Sequence, residues 1–144
     1  MHNPEDTWEI LLVEDNPADV TLFNMAVPPG KKVRIWNAMT GRKALDFLYR
    51  VGEFVNAPRP DLVCLDLNLP VIDGREVLET VKADADLKRI PIIVLSTSHT
   101  QADISGSYKR GANSYLVKPA DVNTFFNMMQ TCCNYWFETV ALND

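Results

Sequence analysis

Glu14, Asp15, Asp66, Ser96 and Lys118 each stand where an apolar run of the sequence gives out. Three carboxylates brought together repel one another unless a cation sits among them, and hard oxygen ligands in that number suit Mg²⁺. A metal beside an ammonium and a hydroxyl is the equipment for phosphoryl transfer, where positioning and charge neutralisation supply most of the catalysis. For Asp66 taken alone, capping a turn is the competing role. The choice depends on whether the elements carrying these residues converge.

Residues 61–70 are the stretch around which the chain is organised. Leu62, Val63, Cys64 and Leu65 in succession read as a strand buried on both faces, as a parallel sheet requires. Asp66 follows at once, and Pro70 with Asp73-Gly74 breaks the chain and starts a helix. Asp66 is thereby placed at the carboxyl end of a central strand, the edge at which open α/β sheets bind ligands. Residues 8–13 form a first strand ending in Glu14-Asp15. Asn16 caps and Pro17 opens a helix carrying Val20, Phe23, Met25 and Val27, which Pro28-Pro29-Gly30 stops. Residues 31–37 alternate polar and apolar, as an edge strand does. Thr40 caps a helix with Ala44, Leu45, Phe47 and Leu48 on its apolar face, and residues 52–60 are a loop punctuated by Pro58 and Pro60.

After the central strand comes a helix over 74–83 with Val77, Leu78 and Val81 pointing inward, then a charged connection over 84–89. A strand over 90–95 ends in Ser96-Thr97-Ser98. Thr100 and Asp103 have the spacing of a capping box, opening a helix that reaches Arg110-Gly111. A strand over 114–117 ends in Lys118-Pro119, and Asp121 caps a last helix carrying Val122, Phe125, Met129, Cys132 and Trp136. Five β units alternating with five α units predict an α/β fold, a doubly wound parallel sheet of flavodoxin type with strand order 2-1-3-4-5. In that order the first and third strands flank the switch point, and the polar strand ends meet.

With 144 residues the chain has the length of one domain, read as 1–144 with a short aromatic extension over about 134–144. A formal net charge of −5 and no basic cluster argue against a general binder of nucleic acid or anionic membrane. The polar, acidic start is unlike a signal peptide and no apolar run approaches membrane-spanning length, so a cytoplasmic location is expected. Cys64 lies in the buried strand and Cys132-Cys133 are adjacent on a helix, which is neither a disulfide framework nor a metal spacing.

The sequence resembles the receiver domain of two-component response regulators from about Trp8 to Met129. The carriers are Val13-Glu14-Asp15, Leu65-Asp66-Leu67-Asn68-Leu69-Pro70 with Asp73-Gly74, Val94-Leu95-Ser96, and the run from Gly111 to Pro119. Each is weak alone; in this order at these spacings they are specific. The resemblance implies that Asp66 is the phosphoacceptor, attacking a phosphohistidine on a partner kinase. It implies Mg²⁺ held by Asp15, Asp66 and the backbone carbonyl of Asn68, with Glu14 acting through water, and Mn²⁺ or Ca²⁺ as substitutes in crystals. Lys118 would pair with Asp66 and later with a phosphoryl oxygen, next to a cis Lys118-Pro119 peptide. The Ser96 hydroxyl would move to the phosphoryl group and Tyr115 would turn into the vacated space, switching the surface of the fourth helix, fifth strand and fifth helix. Asn68 and Ser98 would flank the path of attacking water. Such a protein is a signalling switch with intrinsic self-phosphorylation and dephosphorylation, not a turnover enzyme.

Ser96 stands where threonine is frequent in that family, Thr97 is bulkier than the usual residue, and Ala120 replaces a frequent aromatic. None of these removes a group the mechanism needs. The loop over 52–60, the run from Val94 to Ser98 and the tail from Tyr135 to Val140 further resemble the stand-alone regulators paired with bacterial and cyanobacterial phytochromes. That implies a phytochrome-type kinase as partner and a homodimer through the fourth and fifth helices and the tail, with no nucleic acid and no membrane. Tyr135, Trp136 and Phe137 cannot all face one core.

Other functions fit less well. A phosphohydrolase with an aspartate nucleophile would carry a second aspartate two residues on, where Asn68 stands. A flavin or nucleotide module would need a glycine-rich or hydroxyl-rich loop after the first strand, which is missing. A docking protein that needs no phosphorylation would not require the complete acidic and lysine set. For Tyr115 a packing role is the alternative, and His99 reads as a solvated loop residue. Arg42, Lys43, Arg59, Arg75 and Lys88-Arg89 read as solvated faces.

Overall fold

The computed structural model describes residues 7–27, 30 and 32–142. In chain order these form β1 (Trp8–Val13), α1 (Pro17–Ala26), β2 (Val33–Ala38), α2 (Gly41–Tyr49), β3 (Leu62–Leu65), α3 (Gly74–Ala83), β4 (Ile92–Ser96), α4 (Gln101–Lys109), β5 (Ser114–Val117) and α5 (Val122–Asn134). The five strands make one parallel sheet in the order β2-β1-β3-β4-β5, the flavodoxin-like winding expected.

Period-two alternation along the central strands sorts their side chains onto two faces. Leu11, Val13, Val63, Leu65, Ile92 and Val94 meet α2 and α3 on one side. Ile10, Leu12, Leu62, Cys64, Ile93 and Leu95 meet α1 and α5 on the other. Covered on both faces, β1, β3 and β4 read as continuous apolar runs. β2, at the edge, is only partly buried. Both thiols of the Cys132-Cys133 pair are buried, and burial pushes the Cys132 thiol up to about 12.

The expected caps form. Asn16 Oδ1 accepts from the Ala18 N–H at 2.9 Å, Thr40 Oγ1 from Lys43 at 3.1 Å, and Asp121 Oδ2 from Thr124 at 2.8 Å. At α4 only half of the capping box is made. Thr100 Oγ1 accepts from the Asp103 N–H at 3.2 Å, while the Asp103 carboxylate turns to Ser98 and Arg75 instead of reaching back.

Several boundaries and faces differ from expectation. β2 runs to Ala38; Pro28, Pro29 and Lys31, on which the expected helix stop and strand start partly rest, lie outside the described residues. β4 starts at Ile92, because the Ile90 N–H is spent on Leu87 in a short turn. Met25 is 65% exposed, since Phe23 and Ala26 define the buried side of α1. Val122 is exposed as well, and Cys133 takes its place among the core residues of α5. Beyond α5 a wider helical turn over Tyr135–Thr139 advances the phase of the chain. Phe137 thereby turns inward to stack on Trp8 at 4.6 Å, while Tyr135 faces outward.

Candidate functional site

Glu14, Asp66, Ser96 and Lys118 come from the carboxyl ends of β1, β3, β4 and β5, so the winding of the sheet alone gathers them at one edge. The backbone ties the ends together: the Asp66 N–H donates to the Val13 carbonyl at 3.0 Å and the Lys118 N–H to the Ser96 carbonyl at 2.7 Å. Asp66 is half-buried, Asp15 and Asn68 are exposed, and Glu14 and Ser96 are buried. The Asn68 N–H donates to Asp66 Oδ1 at 3.0 Å, which fixes the carboxylate over the turn that follows.

Gly74 explains how α3 starts so close. A Cβ there would stand 2.1 Å from the Asp66 carbonyl oxygen and 2.7 Å from Leu67 Cα. Only glycine lets the helix begin against the backbone of Asp66, and its N–H donates to Leu67 at 2.9 Å.

The Lys118 ammonium donates to Glu14 Oε1, to Asp19 Oδ2 at 3.0 Å and to Asp66 Oδ2 at 3.5 Å. The expected pairing with Asp66 is therefore the longest of three. Asp19 was not among the expected site residues; an acid in the first turn of α1, beside the Glu14-Asp15 pair, was the available signal. Burial works against the charge on Lys118, but the bond to Glu14 and the neighbouring carboxylates outweigh it and hold its pKa above the ordinary value. Burial raises the Glu14 carboxyl to about 7, against the pull of Lys118. The Lys118-Pro119 peptide is trans, not cis, since the described residues contain no cis peptide. The X-Pro amide has only a small preference between isomers, and the trans form still delivers the ammonium to the acidic residues.

One carboxylate oxygen each of Glu14, Asp15 and Asp66 can be chosen within 4.8 Å of one another. Three hard, anionic oxygen donors at that spacing fit a divalent cation of the Mg²⁺ or Mn²⁺ kind.

Ser96 Oγ accepts from the Ser98 N–H at 3.1 Å, and the Tyr115 hydroxyl donates to the Ser98 carbonyl at 2.8 Å. The Tyr115 ring is thus turned inward and packs on the core face of α2 and α3. His99 and Thr97 are exposed on the same loop. Arg75, expected on a solvated face, bridges Asp73 at 3.1 Å and Asp103 at 2.7 Å. Its bond to Asp103 raises its pKa further. Arg59 likewise pairs with Asp86, at 2.8 Å, and is not simply solvated.

The model of the response regulator receiver domain family matches residues 10–130. The chain belongs to that family. Response regulator Rcp1 of Synechocystis sp. is 44% identical over 134 residues, covering 92% of this chain and 91% of the relative. The crystal structure of the phosphorylated cyanobacterial phytochrome response regulator RcpA superposes with a TM-score of 0.93 at 41% identity, covering 96% of this chain and 100% of RcpA. The Mn²⁺-bound form of Rcp1 gives 0.90 at 43% identity, covering 95% and 99%. This receiver is thus a two-component signalling protein related to phytochrome response regulators.

Proposed function

We propose that the receiver accepts a phosphoryl group on Asp66 from a histidine kinase and relays the event through α4, β5 and α5. The observation that carries this reading is the placement of Asp66 beside Glu14, Asp15 and Lys118 at the switch point of the sheet. An Asp66 carboxylate oxygen forms the new O–P bond while the P–N bond to the donor histidine breaks and its electron pair returns to the imidazole. Asp15, Asp66 and the Asn68 carbonyl would hold Mg²⁺, which when bound neutralises charge on the transferring group. Lys118, kept charged by the surrounding carboxylates, supplies a second cation to the phosphoryl oxygens. Ser96 gives its hydroxyl to the same oxygens, and Ser98 couples it to the inward-turned Tyr115 through their hydrogen bonds.

The donor is a phytochrome-type sensor kinase, a reading supported by the likeness to Rcp1 and RcpA. No helix among the described residues is long and apolar enough to cross a membrane. A homodimer through α4, α5 and the tail would cover a groove of about 690 Å³ lined by Leu116, Met128, Cys132 and Trp136.

The test is intact mass and size-exclusion elution after incubation with acetyl phosphate. A gain of one phosphoryl group that requires Mg²⁺ and vanishes in Asp66→Asn is expected. No gain in a protein that demonstrably binds Mg²⁺ would overturn the reading.

A further inference from the structure

The hydroxyls of Ser96 and Tyr115 are joined to the start of α3 by an unbroken series of polar contacts. Ser98 stands at its centre: its N–H reaches Ser96 Oγ, its carbonyl takes the Tyr115 hydroxyl, and its own hydroxyl donates to Asp103 Oδ2 at 2.6 Å. The other carboxylate oxygen of Asp103 accepts from Arg75 at 2.7 Å. The second arm of the Arg75 fork lies 3.1 and 3.2 Å from the two oxygens of Asp73, the N-cap of α3. One step before Arg75 is Gly74, packed on the backbone of Asp66.

We propose that Arg75 and Asp103 form a latch that holds the loop between β4 and α4 with Tyr115 turned inward, making them positioning residues for acceptance of a phosphoryl group at Asp66. The proposal rests on the reading of Asp66 and Ser96 as acceptor and switch. Its physical basis is that both terminal nitrogens of Arg75 and both carboxylate oxygens of Asp103 are already committed. The guanidinium cannot turn without losing two carboxylates, and Asp103 spends one oxygen on each neighbour. Both side chains are also partly shielded, at 31% and 26% exposed. Ser107 is the one buried residue of α4; its far end is held by Arg110 to Glu79 and by the Tyr108 hydroxyl, which accepts from the Tyr115 N–H, while its first turn is tied to α3 by this contact. The latch therefore joins the two walls of the site, the start of α3 behind Asp66 and the loop after Ser96. Turning Tyr115 inward is the change that phosphorylation would favour. A contact that holds it there beforehand raises the population ready to receive the group.

The test titrates the whole chain with beryllofluoride and Mg²⁺, a stable stand-in for the phosphoryl group, while NMR follows the Tyr115 ring. Arg75→Met and Asp103→Asn are each expected to raise the half-saturating concentration roughly threefold to tenfold. The double variant should be no weaker than either single one, and Arg75→Lys should recover part of the loss. The Tyr115 resonances of the metal-free variants should leave their wild-type positions. A merely structural role would lower the melting temperature without moving half-saturation. Unchanged or tighter half-saturation, or additive losses in the double variant, would overturn the latch while wild type binds normally. If wild type does not bind beryllofluoride, or Asp66→Asn binds it equally well, the acceptor reading falls and the latch falls with it.

Discussion

Lys118 Nζ stands 3.0 Å from Asp19 Oδ2 and 3.5 Å from Asp66 Oδ2, so the ammonium beside Asp66 is held in part by the first turn of α1. Its third partner, Glu14, is almost wholly buried, whereas the Asp19 side chain is 33% exposed. The two contacts should therefore differ sharply in weight. Lys118→Ala leaves a buried carboxylate without a counter-charge and should cost about 3–5 kcal/mol near pH 8. Asp19→Asn leaves the ammonium two other partners and should cost less than about 1 kcal/mol. At pH 5 the Lys118→Ala loss should shrink, because Glu14 can then take up a proton. Urea denaturation at the two pH values measures all three; equal losses would refute this division.

Burial raises Glu14 from 4.5 to about 7, and Asp66 adds to the rise while Lys118 opposes it. Between those values the folded chain holds a proton that the unfolded chain has released. The stability this group contributes is complete below pH 4.5 and is lost as pH climbs through about 7, by up to about 3 kcal/mol. A cation bound among the carboxylates would offset the loss by mass action on the folded state. The melting temperature of wild type relative to Glu14→Gln should thus fall from pH 5 to pH 8 without metal. Millimolar Mg²⁺ should flatten that fall. A difference that does not vary with pH in metal-free buffer would contradict the electrostatic account.

What the sequence made legible was whatever depends on local pattern. The continuous apolar runs of β1, β3 and β4, each closed by a polar residue, gave the sheet edge and four of its chemical groups. Period, caps and the Asp73-Gly74 pair gave α3 its observed bounds. Contacts between elements were less visible. An acid in a first turn also suits the helix dipole, so its place beside Glu14-Asp15 did not by itself tell Asp19 to reach a lysine 99 residues away. Arg75 carries no mark separating a bridging arginine from a solvated one; its role appears only once α3 and α4 lie side by side. The trans geometry before Pro119 and the outward face of Met25 are likewise set by packing that no short window contains.

Gly74→Ala tests how tightly Asp66 is framed. The new methyl group would meet backbone atoms of Asp66 and Leu67, which cannot swing aside as a flexible side chain would. Overpacking of this kind should cost about 1–3 kcal/mol, and α3 should draw back from β3. Phosphoryl uptake from acetyl phosphate should slow in a protein that still folds. Gly30→Ala provides the comparison: nothing lies within 4 Å of the added group, but φ is +87°, so strain appears without crowding at the site. Uptake unaffected by Gly74→Ala would show that the close approach of α3 does not position Asp66.

The tail offers a separation of fold from assembly. Phe137 is 8% exposed and stacks on Trp8, while Tyr135, two residues earlier, is 54% exposed beside the groove along α5. Phe137→Ala empties a core position and should cost about 3–5 kcal/mol, with a change in Trp8 fluorescence as its stacking partner is lost. Tyr135→Ala should leave the urea midpoint within about 0.5 kcal/mol of wild type, as surface substitutions do. If the outward face of the tail joins two copies, the same Tyr135→Ala should shift sedimentation toward monomer at concentrations where wild type associates. A stable fold with unchanged association would assign Tyr135 to solvent and place any interface elsewhere on α4 or α5.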